Sequence, residues 1–422
     1  MFKKTTLSSG LRLITVPLGN VTTATILVLV DTGSNNEVNE MNGVSHFLEH
    51  MFFKGTARRP AAKIISEEVD GMGGYTNAMT SYEYTGYYLK IPAAKFGPGL
   101  DLIADIFSNS LLDQQEVEKE RGVILQELRM RHDDPQSRIG YIYQALLYGD
   151  QPAGWEIIGT PENLERMHAD ELRRYFTAQY TAEDTIVIVA GNVNEAAATA
   201  AVAAAFGPVR HGQPRPRPAV IVSQREPAVS IFRKDTDQTH LVLGVHAFGA
   251  RDPRRFAASV LAHILGGSMA SRMFEEVREK RGLAYAISTS LDDYTTYGSV
   301  DTYAGVEHPN VSETIKVILG EYEKIAATDV PEAELARAKE SMKGRLALSL
   351  EGSDRLAFFV GGEEVLTGQP LTVEEVYRKI DAITGADVRR VAADIFGRER
   401  LNLALIGPHD DPEPFRALLG AR

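Results

Sequence analysis

Apolar and polar positions follow the same order twice along this chain. Near-continuous apolar runs at "ATILVLVDTG" (24–33) and "HLVLGVHAF" (240–248) predict strands. Later extended stretches, "TGYYLKI" (85–91) and "YGSVDTYAGV" (297–306), predict further strands. Helical blocks separate these runs, and each half closes on one more apolar strand. The expected fold class is α+β, with two homologous domains, each a mainly antiparallel sheet with helices packed on one face.

The repetition extends to residues. "ELRRYFTAQYTAEDTIVIVAG" (171–191) and "DVRRVAADIFGRERLNLALIG" (387–407) align without gaps at an offset of 216, close to half of the 422 residues. A period that long indicates duplication rather than a solenoid. Between the halves, "FGPVRHGQPRPRPAVIVSQREP" (206–227) holds five prolines and no helical period, so it reads as a linker. The division expected is 1–206 for a first domain, 207–228 for the linker and 229–422 for a second domain.

One short segment breaks the amphipathic rule in an informative way. In "GVSHFLEHMFF" (43–53), on a helix with His46 at zero, His50 lies at about 40° and Glu49 at about −60°. Val44, Phe47, Leu48, Met51 and Phe52 fill the opposite arc, from about 100° to about 240°. The apolar set buries the helix and presents the polar trio together. Imidazoles at i and i+4 can reach one divalent ion, and a carboxylate one residue before the second His can hold water beside it. Two surface histidines and an acid would be the plainer account of the same pattern.

A catalytic zinc takes a third protein ligand and keeps its fourth position for water. "EVEKERGVILQELRMRHDD" (116–134) offers Glu120 and Glu127 on nearly one helical face, about 10.5 Å apart along the axis. Both cannot bind one ion. One would ligate and the other would hold a ligand imidazole through its second nitrogen. Spacing alone leaves open which does which.

Composition narrows the chemistry further. The chain has no Cys, which excludes disulfides, thiolate ligands and a Cys nucleophile, so any metal depends on His and carboxylate. There is no Gly-x-Ser-x-Gly elbow either. A net charge of −12 argues against nonspecific nucleic-acid binding. No apolar run approaches the ~18 residues of a membrane span. The opening "MFKKTTLSSGLRLITVPL" has no continuous apolar segment of a secretion signal, and the expectation is a cytoplasmic protein.

With these residues in view, the sequence resembles the pitrilysin/insulinase-type zinc peptidases, family M16, which include bacterial relatives of the mitochondrial processing peptidase. "HFLEH" is similar to the family's His-x-x-Glu-His, and "ERGVILQEL" to its segment bearing the remaining ligand. The resemblance implies one Zn²⁺ per chain held by His46, His50 and Glu127, with Glu120 behind the imidazole and Glu49 as general base. "GGYTNAMTSYEYTGYY" (73–88) resembles the family's active-site edge strand, which implies that Asn77 and Ala78 lie beside the scissile bond. "VREKRGLAYAI" (277–287) matches its Arg-x6-Tyr pattern, which implies that Arg278 and Tyr285 bind substrate carbonyls.

The resemblance also implies a half-shell made of two domains, which must pair to enclose a chamber for peptides or unfolded segments. A homodimer is the simplest assembly, and a heterodimer with a related chain is the other. In the second half, Ser259 and Ala262 stand where His46 and Glu49 stand in the first, and only His263 matches, as the counterpart of His50. A domain without metal is expected there, with His263 packed or hydrogen-bonded. "LGGSMASR" (265–272) lacks the P-loop ending and reads as a helix junction, not a phosphate cradle. Two other functions fit the same features less well: a noncatalytic peptide-holding subunit, and a zinc hydrolase acting on non-peptide bonds.

Overall fold

The fold is that of a computed structural model, which describes residues 2–420. It comprises two compact units. The first takes the chain to Leu128, then Trp155–Ala219 and Ala347–Thr372; the second takes Arg129–Gly154, Val220–Leu346 and the chain from Val373 onward.

The first unit is built on six strands: β1 (Lys3–Thr6), β2 (Arg12–Pro17), β3 (Thr23–Val30), β4 (Tyr75–Thr80), β5 (Thr85–Pro92) and β6 (Thr185–Gly191). Their order across the sheet is β1-β2-β6-β3-β5-β4, and only β2 and β6 run parallel. The second unit has β7 (Ala228–Arg233), β8 (Thr239–Phe248), β9 (Ala284–Asp293), β10 (Tyr297–Val306) and β11 (Asn402–Gly407). Here the order is β7-β11-β8-β10-β9, again with one parallel pair, β7 with β11. Without β1, the two orders superimpose strand for strand. The closing strands end at Gly191 and Gly407, at the offset seen in the sequence. The duplication is therefore one of topology as well as of residues.

The main helical layer covers one face of each sheet, with a core that in the first unit includes Ile26, Val28, Phe47, Phe52, Tyr87 and Phe107. Each sheet also carries one helix on its other face, drawn from the opposite half of the sequence. Ser353–Thr367 lays Leu356, Ala357 and Val360 against Leu27, Leu29 and Ile188 of the first unit. Pro135–Tyr148 lays Ile139 and Tyr143 against Val242, Ala404 and Ile406 of the second. The reason is legible in β3 and β6, whose apolar runs do not alternate and so demand cover on both faces. The compact units are consequently not the contiguous stretches 1–206 and 229–422, because each half donates a helix. Among the described residues, no helix is long and apolar enough to cross a membrane.

Candidate metal centre

The segment Val44–Met51 is a helix, and Val44, Phe47, Leu48, Met51 and the following Phe52 are fully buried. Phe52 stacks on Tyr87 of β5 with ring centroids 4.6 Å apart. This apolar face fixes the rotation of the helix and so the direction of its polar face. The helix starts on Gly43, whose φ of 101° suits glycine and whose added Cβ would meet Ile158 O at 2.7 Å. Glycine has no side chain to cap the helix. Glu37 does so from a preceding loop, its carboxylate accepting from Gly43 N at 2.8 Å, Ser45 N at 2.8 Å and Asn42 Nδ2 at 3.0 Å. Burial pushes this carboxyl up to about 7, against the pull of those donors.

On the polar face, His46 Nε2 lies 3.7 Å and His50 Nε2 3.5 Å from the Glu127 carboxylate. One donor atom from each of the three residues falls within 4.8 Å of the others, and no other such group of three or more occurs among the described residues. Two donors on one tetrahedral zinc sit roughly 3.4 Å apart, so the set fits such an ion with only small movements. Glu127 belongs to the helix Gln114–Asp133, and Glu120, two turns earlier, accepts from or shares a proton with His50 Nδ1 at 2.8 Å. That contact leaves Nε2 of His50 for the shared position. Lys54 Nζ holds the second Glu120 oxygen at 2.5 Å. Burial pulls the His50 imidazole down, but Glu120 and Glu127 outweigh it and hold its pKa up to about 9. Glu120 is pushed up by burial, but His50 and Lys54 hold it below its ordinary value.

Glu49 faces β4, where Thr80 Oγ1 donates to its Oε2 at 2.6 Å. β4 is the edge of its sheet and pairs only with β5, with Asn77 opposite Tyr88 and Ala78 opposite Tyr87. Its outer backbone groups are thus placed for an added strand. Sequence reasoning singled out none of Glu37, Lys54 and Thr80. Lys54 stands one turn after His50 and Thr80 two residues after Ala78, spacings that could have drawn attention. Glu37 has no local signal, since a loop residue becomes a cap only through the folded path of the chain.

Arg278 and Tyr285 are brought together within the second unit, the guanidinium 4.8 Å from the centre of the phenol ring. Arg278 lies in a wide helical turn, Phe274–Glu279, of the π type found often at functional sites. On β9, Ala284 pairs with Val306 and Ala286 with Gly305, which leaves Tyr285 as the extra residue of a bulge. The bulge turns its side chain outward, and it is 78% exposed. His263 is half buried, and its Nε2 is buried without a hydrogen-bond partner, so at that atom the ring is packed rather than hydrogen-bonded.

Residues 14–160 match the family described as Insulinase (Peptidase family M16), and residues 166–342 match the Peptidase M16 inactive domain. A relative described as an uncharacterized zinc protease in Streptomyces coelicolor is 34% identical over 98% of this chain and 91% of its own. The chain belongs to peptidase family M16. Another relative so described, in Bacillus subtilis, is 35% identical to this M16 chain over 97% of it and 98% of the relative. The fold agrees with a protease of known structure from Helicobacter pylori, at a TM-score of 0.90 and 24% identity, covering 97% of this chain and all of that one. His46, Glu49, His50, Glu120 and Glu127 lie in the part matched by the insulinase description, and Arg278 and Tyr285 in the part matched by the inactive domain.

Proposed function

We propose that this chain is a zinc-dependent endopeptidase acting on peptides and unfolded polypeptide segments. The observation that carries this reading is the convergence of His46, His50 and Glu127 on one point, with Glu49 on the same helix face beside an edge strand. Its full-length relatives described as zinc proteases support it.

His46, His50 and Glu127 would hold the zinc. When bound, zinc supplies Lewis acidity, lowering the pKa of water towards about 7 and polarising the substrate carbonyl. Glu49 takes the proton of the attacking water and delivers it to the leaving amine, while Thr80 keeps its carboxylate oriented. Glu120 fixes the ring of His50. The substrate pairs with β4 as an added strand, with Asn77 and Ala78 beside the scissile bond. Arg278 and Tyr285 donate to substrate carbonyls and to the oxygen on which negative charge grows, help often worth ~3 kcal/mol per donor. In this reading two copies enclose a chamber in the cytoplasm, and the Arg278/Tyr285 pair of one copy serves the zinc site of its partner; pairing with a related chain would meet the same need.

The test is zinc content measured alongside hydrolysis of an internally quenched peptide. Glu49→Gln is expected to abolish hydrolysis and retain zinc, and native mass is expected to be that of a dimer. If the zinc-loaded protein cleaves no peptide, alone or with a related chain, it is a peptide-holding subunit instead.

A further inference from the structure

In the second unit, the glycine-rich junction after the helix Arg255–Gly266 faces the helix Glu332–Ser349 across a cavity of about 370 Å³. Such a volume lies at the small end of the ~300–1,000 Å³ typical of ligand sites. His263, Ser268, Ser271, Arg337, Ser341 and Arg345 are on its wall. Arg337, Ser341 and Arg345 recur at every fourth residue and so share a helix face, with the two arginines about 12 Å apart along the axis. Side chains of that length can converge over Ser341.

Charge and hydrogen bonding in this cavity are left incomplete by the chain itself. Arg345 Nη1 donates to Gly267 O at 2.6 Å, and neither it nor Arg337 has a carboxylate partner among the described residues. The acid on the same wall, Glu334, is occupied by Arg272, whose Nε and Nη2 each donate to it at 2.8 Å. Two solvent-exposed guanidiniums without a carboxylate partner among the described residues therefore border one cavity in a chain of net charge −12. Ser271 is 3% exposed and its Oγ has no partner, and neither has Nε2 of His263. Buried polar atoms without partners are uncommon and costly.

We propose that this cavity is an oxyanion-binding site for a small, doubly charged ligand, a phosphate monoester or a dicarboxylate. Guanidinium forks match the oxygens of either group, and such an anion accepts from the serine hydroxyls as well. The junction itself lacks a P-loop's backbone cradle; the cationic donors come from the facing helix. No residue of the zinc centre takes part, so the site stands independently of the peptidase reading.

The test titrates the full chain with sodium phosphate and, separately, with sodium malonate, against sodium chloride at matched ionic strength, using calorimetry. Saturable binding is expected for at least one of the two, and the tighter one identifies the source of the oxyanion. Arg337→Gln, at an exposed position with no hydrogen bond or ion pair among the described residues, is expected to weaken it by about tenfold or more, the loss of a charge-assisted hydrogen bond. Ser271→Ala is expected to weaken it by a smaller factor. Phosphate held on zinc would be indifferent to both substitutions. Binding no stronger than the chloride control, or equal affinity in wild type and Arg337→Gln, overturns the proposal.

Discussion

His50 and Glu120 meet at 2.8 Å, Nδ1 to Oε1, and the contact decides which nitrogen of the ring faces His46 and Glu127. Glu120→Gln keeps the size and loses the charge that holds His50. Zinc affinity, measured by competition with a chromogenic chelator, is expected to fall by about 10- to 100-fold. Because the two carboxylates hold His50 protonated up to a pH of about 9, zinc uptake at neutral pH should release a proton. Calorimetry in buffers of different ionisation enthalpy measures that release.

Glu37 caps the helix that carries His46, Glu49 and His50, from a distance in the chain that no capping rule covers. Glu37→Ala leaves the Gly43 and Ser45 amides without their acceptor in a buried place, and about 3 kcal/mol of stability is expected to go. The pH dependence has a definite sign. Burial raises the folded-state pKa from 4.5 to about 7, so the folded chain holds a proton that the unfolded chain releases across that interval. The contribution is full below 4.5 and is lost as the pH rises to about 7. Urea midpoints at pH 5 and pH 8 should therefore differ less in Glu37→Gln than in wild type.

Thr80 holds Glu49, the base of the proposed reaction, and not His46, His50 or Glu127. Thr80→Val removes a hydrogen bond of about 1 kcal/mol and is expected to lower kcat roughly five- to tenfold. Zinc content and KM should stay where they are. A loss of zinc in this variant would mean that the hydroxyl supports the metal site rather than Glu49.

Tyr285 sits outward on its bulge beside Arg278, and it is too exposed to matter for stability. Tyr285→Phe should change the unfolding free energy by less than about 0.5 kcal/mol. On the proposed reaction, its kcat/KM on a quenched peptide should nevertheless fall by a factor on the order of 100, as expected for the loss of one donor to a developing charge. Arg278→Lys keeps the charge without the planar fork and should show a smaller loss. Equal activity in Tyr285→Phe and wild type would remove the pair from the reaction.

The sequence by itself determined the polar face of Val44–Met51, since five apolar residues on one arc leave His46, Glu49 and His50 no other direction. It also determined the duplication, which reappears as two sheets of matching strand order. It narrowed the third candidate ligand to Glu120 or Glu127, two residues on one helical stripe whose separation along the axis forbids a shared role. Helical and strand periods are local, and local spacing suffices for such conclusions.

What only the tertiary structure decided are relationships between residues far apart in the chain. Glu127 rather than Glu120 lies near both Nε2 atoms because packing brings the helix Gln114–Asp133 to the imidazoles at residue 127 and not two turns earlier. Glu37, Lys54 and Thr80 join the site because the loop and the edge strand are led there by packing. The exchange of Ser353–Thr367 and Pro135–Tyr148 between halves was hinted at by strands apolar on both faces, but which helix covers which sheet depends on the path of the whole chain. Such contacts arise from burying apolar surface over long sequence separations, and no periodicity along the chain encodes them.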